Sequence, residues 1–424
     1  MKEDFLHYVW KHQLFTKINL RSTESNQIEI ISSGIHNSNS GPDFLNAKIK
    51  IDNILWVGNL EIHVKSSDWY LHQHENDSNY DSVILHVVWE DDVEVFSKDN
   101  LSLPTLKISR IVAKDLLLNY RKLYSKEKRW IPCEKLIPTI DTFVLENWKE
   151  RLFFERLEEK SILINQLLSD SNNDYEAVLF KLLAKNFGLK TNADAFLNFA
   201  NSIDFSRVRK LQNDVFKLQA LFFGQAGFLE ESSEEKYVIK LKTEYEYLKH
   251  KFNLKPIHNG QFQFFRMRPT NFPTIRIAQF SSLYHKHQNL FSKLIETSDL
   301  KVIYQLFSIE LNDFWKTHYT FKTASKKSAK KLTKSFIDLL LINTIIPLKF
   351  NYLKRRGEVE ETEFLCLIQQ LQSEKNSIID KFNELKISSK NAFETQALIQ
   401  LKNNYCTKKR CLQCAIGNVI LKKA

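Results

Sequence analysis

Residues 41–65 read GPDFLNAKIKIDNILWVGNLEIHVK, and their pattern decides the fold of the N-terminal part. Phe44 to Ile51 alternates, with Ala47, Ile49 and Ile51 on one face, as a half-buried strand requires. Asp52-Asn53 supplies a turn, and Ile54 to Val64 supplies a second strand. The resulting hairpin sets residue 43 opposite residue 61 or 62, and cross-strand neighbours lie about 5 Å apart. Strand side chains repeat every second residue, so Glu61 and His63 share a face, with Lys65 further along it. Asp43, Glu61 and His63 therefore converge without any long-range assumption. Two carboxylates at a hairpin end make a hard-cation site suited to Mg²⁺ or Mn²⁺. Such an ion lowers the pKa of bound water and neutralises charge developing on a phosphate. Glu3 or Glu29 is placed to complete the site as a third acid.

Outward from the hairpin, VILHVVW at Val83–Trp89 is nearly continuous and β-branched, the pattern of a central strand buried on both faces. Ile28–Ile31 and Leu106–Ser109 are further strands, and short helices fit Glu3–Phe15 and Val112–Leu123. A second polar group holds Asp68, His72, His74, Asp77 and His86. His72 and His74 face together only on an extended segment, because a helix would turn them about 200° apart. His74 and Asp77, at i and i+3, would share a helical face. His86 lies mid-strand, and a buried polar group there needs a partner. Trp69 and Tyr80 read as core anchors, and a zinc site on His72, His74 and His86 competes with a packing role for those histidines.

From about residue 140 the apolar spacing becomes helical, through Phe143–Leu167, Tyr175–Phe187, Val215–Leu221, Leu241–Lys251, Ser281–Glu296, Lys301–Phe307, Phe336–Ile345, Glu361–Gln372 and Asn391–Leu401. The expected architecture is α+β, an N-terminal mixed-sheet domain over 1–135, a mainly helical basic domain over 136–400, and a cysteine segment over 401–424.

Composition is globular, with 43% hydrophobic and 26% charged residues, and 9 Gly and 8 Pro exclude collagen-like or Pro-rich chains. The longest apolar run, Leu339–Leu348, is too short to span a bilayer, and the N-terminus lacks a signal-peptide core. A cytoplasmic protein without a membrane partner is expected. Residues 1–110 carry 10 Lys+Arg against 16 Asp+Glu, while the rest carries 51 against 34. An acidic, His-rich part joined to a basic part suits a metal or proton-transfer site serving a polyanion such as DNA or RNA. No P-loop, Rossmann glycine pattern, zinc-finger spacing or nucleophile elbow is present.

Arg266, Arg268 and Arg276 flank an irregular two-proline segment and are candidate phosphate contacts. Lys326, Lys327, Lys330 and Lys331 form a second basic stretch, which at helical spacing gives a broad positive flank. Five cysteines in 424 residues are no disulfide framework. Cys406, Cys411 and Cys414 lack one ligand for Zn²⁺ or a [4Fe–4S] cluster, and Cys133 is the best fourth, with Cys366 the alternative. Sulfur separations of about 3.5–4 Å would fit one Zn²⁺ and roughly 6–7 Å the larger cluster.

The Asp43 and Glu61-Ile62-His63 pattern resembles the PD-(D/E)xK nuclease superfamily, with His63 where that motif has lysine. The resemblance implies a restriction-endonuclease-like first domain, a metal held by Asp43 and Glu61, and water positioned by His63 or by Lys65. The wider segments GPDFLNAKIKI, WVGNLEIHVKSSDWYLHQHENDSNYDSVILHVVWEDD, FGQAGFL, RMRPTNFPTIRIAQF and YCTKKRCLQCAIG resemble the DUF2851 family of uncharacterised Bacteroidota proteins. The expected function is a metal-dependent phosphodiesterase acting on DNA or RNA. A noncatalytic nucleic-acid-binding protein on a decayed nuclease fold, or a zinc hydrolase, are the alternatives.

Overall fold

The hairpin read from the sequence is the centre of the sheet. In the computed structural model, which describes residues 1–423, β4 (Phe44–Ile51) and β5 (Ile54–Lys65) pair antiparallel around Asp52 and Asn53. Both turn residues are left-handed, at φ 47° and 67°, the conformation a two-residue hairpin loop demands. Ala47, Ile49 and Ile51 are buried, as alternation required.

Among the described residues, seven strands form one mixed sheet. Besides the hairpin it holds β1 (Leu20–Arg21), β2 (Gln27–Ser32), β3 (Ile35–His36), β6 (Val83–Glu90) and β7 (Thr105–Lys107). The order is β1-β2-β4-β5-β6-β7, with β3 also paired to β4. β2, β4 and β5 run antiparallel, whereas β6 and β7 run parallel to β5. A parallel neighbour needs a crossover. Residues 66–82 provide it, including the short helix α2 (Asp68–Leu71), once α1 (Glu3–Lys11) is counted as the first helix. Leu85, Val87 and Val88 are fully buried, which confirms β6 as a central strand. α1 buries Phe5, Leu6, Tyr8, Val9 and Trp10, and the Trp10 indole donates to the Ser33 carbonyl.

The chain divides into two compact units, Met1–Trp148 with Leu401–Ala424, and Lys149–Gln400. The first unit also contains α3 (Lys114–Leu123) and the C-terminal helix Ala415–Lys422, tied by Asn119, which donates to the Lys423 carbonyl at 2.8 Å. α4 (Thr142–Asp170) carries the chain into the second unit. That unit is helical, beginning with α5 (Tyr175–Phe187), α6 (Leu189–Asn201), α7 (Phe205–Leu211), α8 (Val215–Gln225), α9 (Lys236–Phe252) and α10 (Pro273–Lys286). Its core is aromatic. Phe180 meets Phe205, Phe222, Phe280 and Tyr284 at 5.2–5.7 Å between ring centroids. The helix expected over Ser281–Glu296 is instead α10 and a short helix Leu290–Ile295, because the chain turns extended at His287.

The run Leu339–Leu348, read as too short to span a bilayer, belongs to a longer helix. Residues Lys334–Arg356 are continuous over 23 residues through a π turn at Leu341–Ile345, long and apolar enough to cross a membrane. Its apolar window is 72% buried within the protein, the condition of a core helix.

Two of the basic candidates are structural. Lys330 was expected on a solvated helical flank, but the segment is not helical and its ammonium is buried. It donates to the carbonyls of Trp315 (2.7 Å) and His318 (2.9 Å) and lies 4.2 Å from the Tyr319 ring centroid. Arg276 is buried too, donating to Gln279 and Asn271 and lying over the Phe336 ring. Arg266, Arg268, Lys326, Lys327 and Lys331 are exposed. Replacing Lys330 with Met is therefore expected to cost about 1–2 kcal/mol, read from a shifted urea midpoint, because two buried carbonyls lose a charged donor. Any salt-dependent affinity for nucleic acid should stay unchanged.

Candidate functional site

Gly41 has φ 96°, a conformation costly for any residue with a Cβ, and it turns the chain into β4. The Asn37 side chain holds this turn through the Ser40 and Pro42 carbonyls. Inside β4 the pairing shifts from Ala47 opposite Gly58 to Phe44 opposite Leu60. One extra residue lies on β4 there, and Asn46 is left-handed at φ 58°. Without this bulge Asp43 would face Ile62; with it, Asp43 meets Glu61.

The two acids lock each other. The Asp43 N–H donates to Glu61 Oε2 at 3.1 Å, and the Ile62 N–H donates to Asp43 Oδ2 at 3.0 Å. Glu61 is buried, and that burial raises its carboxyl above the usual range, against the pull of His74.

A histidine cluster surrounds Glu61. His63 Nε2 lies 3.6 Å and His74 Nε2 3.4 Å from Glu61 Oε1. His63 Nε2 is also 3.1 Å from His72 Nδ1, and one ring nitrogen from each of His63, His72 and His74 falls within 4.8 Å of the others. His72 and His74 face together without an extended segment. α2 ends at Leu71 with His72 capping it, and Gln73 takes the left-handed conformation at φ 61° before a new helical turn starts at His74. That reversal cancels the helical divergence. His74 stacks on Tyr80 at 3.8 Å, and Trp69 packs edge-on against both. Trp69 is 2% exposed, so the anchor role read from sequence holds.

His86 is fully buried, and its Nε2 lies 2.8 Å from His63 Nδ1. It is therefore a partner of His63 rather than a member of the compact triad, which is His63, His72 and His74, not His72, His74 and His86. Burial, with the neighbouring histidines adding to it, pushes the His63 pKa down to about 2 and that of His86 to about 3. Both imidazoles are neutral at any ordinary pH.

His7 was missed in the sequence. It projects from α1 and sets Nε2 3.1 Å from Asp43 Oδ2. Burial works against a charged His7, but the Asp43 carboxylate outweighs it and raises the pKa. Only its place on the sheet-facing side of an amphipathic helix hinted at this. Glu3 is close enough to feel His7, His72 and Asp43, and burial raises its pKa.

Other expected members stand apart. The Lys65 side chain is half exposed and turns to Asp92 at 4.0 Å. Asp68 accepts from the Lys65 N–H, and Asp77 caps its own turn through the Asn79 N–H. Glu29 pairs with Lys50 at 3.6 Å, towards the opposite end of β4 from Asp43.

Three separations in this group approach those a metal needs. A tetrahedral ion with bonds of about 2.0–2.1 Å sets ligand atoms about 3.4 Å apart; His63 Nε2 lies 3.1 Å from His72 Nδ1, and Glu61 Oε1 lies 3.4 Å from His74 Nε2 and 3.6 Å from His63 Nε2. His74 Nε2 is buried and only loosely placed against Glu61 Oε1, at 3.4 Å, a contact that a shared metal bond would replace.

The four cysteines 133, 406, 411 and 414 line one small cavity of about 10 Å³, whereas Cys366 is exposed on a helix of the second unit.

Residues 3–377 match the model of a family described as Protein of unknown function (DUF2851). The chain belongs to this DUF2851 family. The match contains every member of the hairpin site and Cys133, and it ends before Cys406. No curated protein and no solved structure matches this DUF2851 chain.

Proposed function

We propose that this protein is a metal-dependent phosphodiester hydrolase acting on DNA or RNA, with its metal held by Glu61 and the histidine triad beside Asp43. The observation that carries the reading is the reciprocal lock of Asp43 and Glu61 across β4 and β5, with His63 and His74 at the Glu61 carboxylate and His72 beside His63. The order of elements supports it: α1, three antiparallel strands, a helical crossover and a parallel strand. The PD-(D/E)xK superfamily shares that plan and places its acids on the same hairpin.

The donor set favours Mn²⁺ or another transition ion over Mg²⁺, because imidazole suits those metals and Mg²⁺ prefers oxygen ligands. A divalent cation bound there supplies Lewis acidity towards a phosphate oxygen and acidifies water. The residues do the rest. His63, held neutral by burial, offers the Nε2 lone pair when its proton sits on Nδ1 and is donated to His86. Asp43 raises the pKa of His7, and a protonated His7 would take the position relative to the phosphate that Lys65, turned away, does not fill. The exposed side of the site at His72 is the entry for substrate.

Since His86 fixes the tautomer and orientation of His63, His86→Leu is expected to weaken Mn²⁺ binding about tenfold, measured by titration calorimetry. The function itself is tested by stripping the full chain with a chelator and reloading it with Mg²⁺, Mn²⁺ or Zn²⁺ over labelled DNA and RNA. Cleavage restored best by Mn²⁺ supports the reading. The imidazole triad favours a second reading, a zinc hydrolase, which predicts that Zn²⁺ alone restores an activity and that nucleic acids stay intact.

A further inference from the structure

We propose that Cys133, Cys406, Cys411 and Cys414 ligate a [4Fe–4S] cluster that clasps the C-terminal segment onto the first unit. All four thiols face one cavity, although more than 270 residues separate the first from the other three. The rest of its wall includes Leu123, Pro132, Leu401 and Ile416, an apolar shell of the kind that shields a cluster from water.

The backbone is shaped to present the thiols. A π-helical turn, Leu401–Cys406, ends on the first C-terminal cysteine. Lys409 is left-handed at φ 53°, bending the chain back, and a short 3-10 turn at Cys411–Gln413 leads to Cys414. The C-terminal helix packs so tightly on this turn that a Cβ on Gly417 would sit 2.1 Å from the Cys411 carbonyl oxygen. Only glycine fits there, so the close approach of helix and cysteine turn is built into the sequence.

Size selects the occupant. Tetrahedral zinc with bonds of about 2.3 Å needs sulfurs about 3.8 Å apart. Among the described residues, three ligand atoms gather within 4.8 Å of one another at His63, His72 and His74, and no three of the cysteine sulfurs do so. Wider separation around a cavity suits a four-iron cube. Its four thiolates leave an oxidised cluster with a net negative charge. Lys402 and Lys409 lie close enough to act on Cys406 and Cys411, and the Tyr124 hydroxyl is in reach of Cys411. Each thiol gives up its proton on ligation, so the buried sulfurs need metal to become thiolates.

The test is the metal content of the full-length chain purified without oxygen. About four iron and four acid-labile sulfide per chain are expected, with the broad visible absorption of such a cluster. Cys133→Ser should lose nearly all of both, and Cys366→Ser should keep them. One zinc per chain without iron would overturn the cluster, and four alkylatable thiols in metal-free protein would overturn the site. So would a Cys133→Ser protein with undiminished iron. If that variant does not fold, the stoichiometry of the natural chain still decides. The hairpin centre is independent of all these outcomes.

Discussion

Glu61→Gln is expected to slow phosphodiester cleavage about a thousandfold, close to 4 kcal/mol at 1.36 kcal/mol per factor of ten. The side chain is buried between Asp43 and two histidines, so its charge is there for a cation rather than for solvent. Glutamine keeps the shape, and its carbonyl oxygen accepts the Asp43 N–H, but it removes the negative charge. Stability should hold or rise slightly, because a buried carboxylate costs more than a buried amide. Rates on single- and double-stranded substrates at fixed Mn²⁺, beside a urea melt, separate the two effects. Unchanged cleavage in Glu61→Gln would remove this carboxylate from the mechanism.

Acid should loosen the sheet. His63 and His86 have folded pKa values of about 2 and 3, well below their unfolded value of about 6.5. Below pH 6.5 the unfolded chain therefore takes up protons that the fold refuses, and stability falls as pH falls. Each histidine contributes somewhat under about 2 kcal/mol of loss between pH 6.5 and 5, or about 3 kcal/mol together. Glu61 offsets part of this, since its raised pKa favours the fold as pH drops towards 4.5. His7 has the opposite sign and a separate window. Its raised pKa gives stability that is complete below 6.5 and lost as pH rises above it. Hydrogen exchange at Leu60–His63 and Leu85–Val88 reads the acid effect locally, and protection should drop by at least tenfold from pH 6.5 to 5. Saturating Mn²⁺ at pH 6.5 should raise protection at the same amides, by about 2.7 kcal/mol at a hundred times its Kd.

The hairpin was legible because it is local. Alternation from Phe44 to Ile51 and the Asp52-Asn53 turn fix which residues face the core. The pairing of Asp43 with Glu61 rather than Ile62 was not, since it depends on the bulge at Asn46, which pattern alone does not mark. The triad escaped for a similar reason. One left-handed residue, Gln73, decides whether His72 and His74 converge, and glutamine does not announce that conformation. His7 needed the docking of α1 on the sheet. Arg276 and Lys330 looked like surface charge because what buries them lies elsewhere in the chain: the Phe336 ring for one, the Trp315 and His318 carbonyls for the other. α6 was missed because its buried face is spread thinly among polar residues, with Asn192 buried and donating to the Gln263 carbonyl.

Anomalous scattering at the manganese edge, from crystals of the full chain equilibrated with Mn²⁺, tests the central claim most directly. The account predicts one peak bonded to Glu61 Oε1, His63 Nε2, His72 Nδ1 and His74 Nε2 at about 2.0–2.2 Å. A peak bonded elsewhere, or none while those four atoms keep their positions, would contradict it.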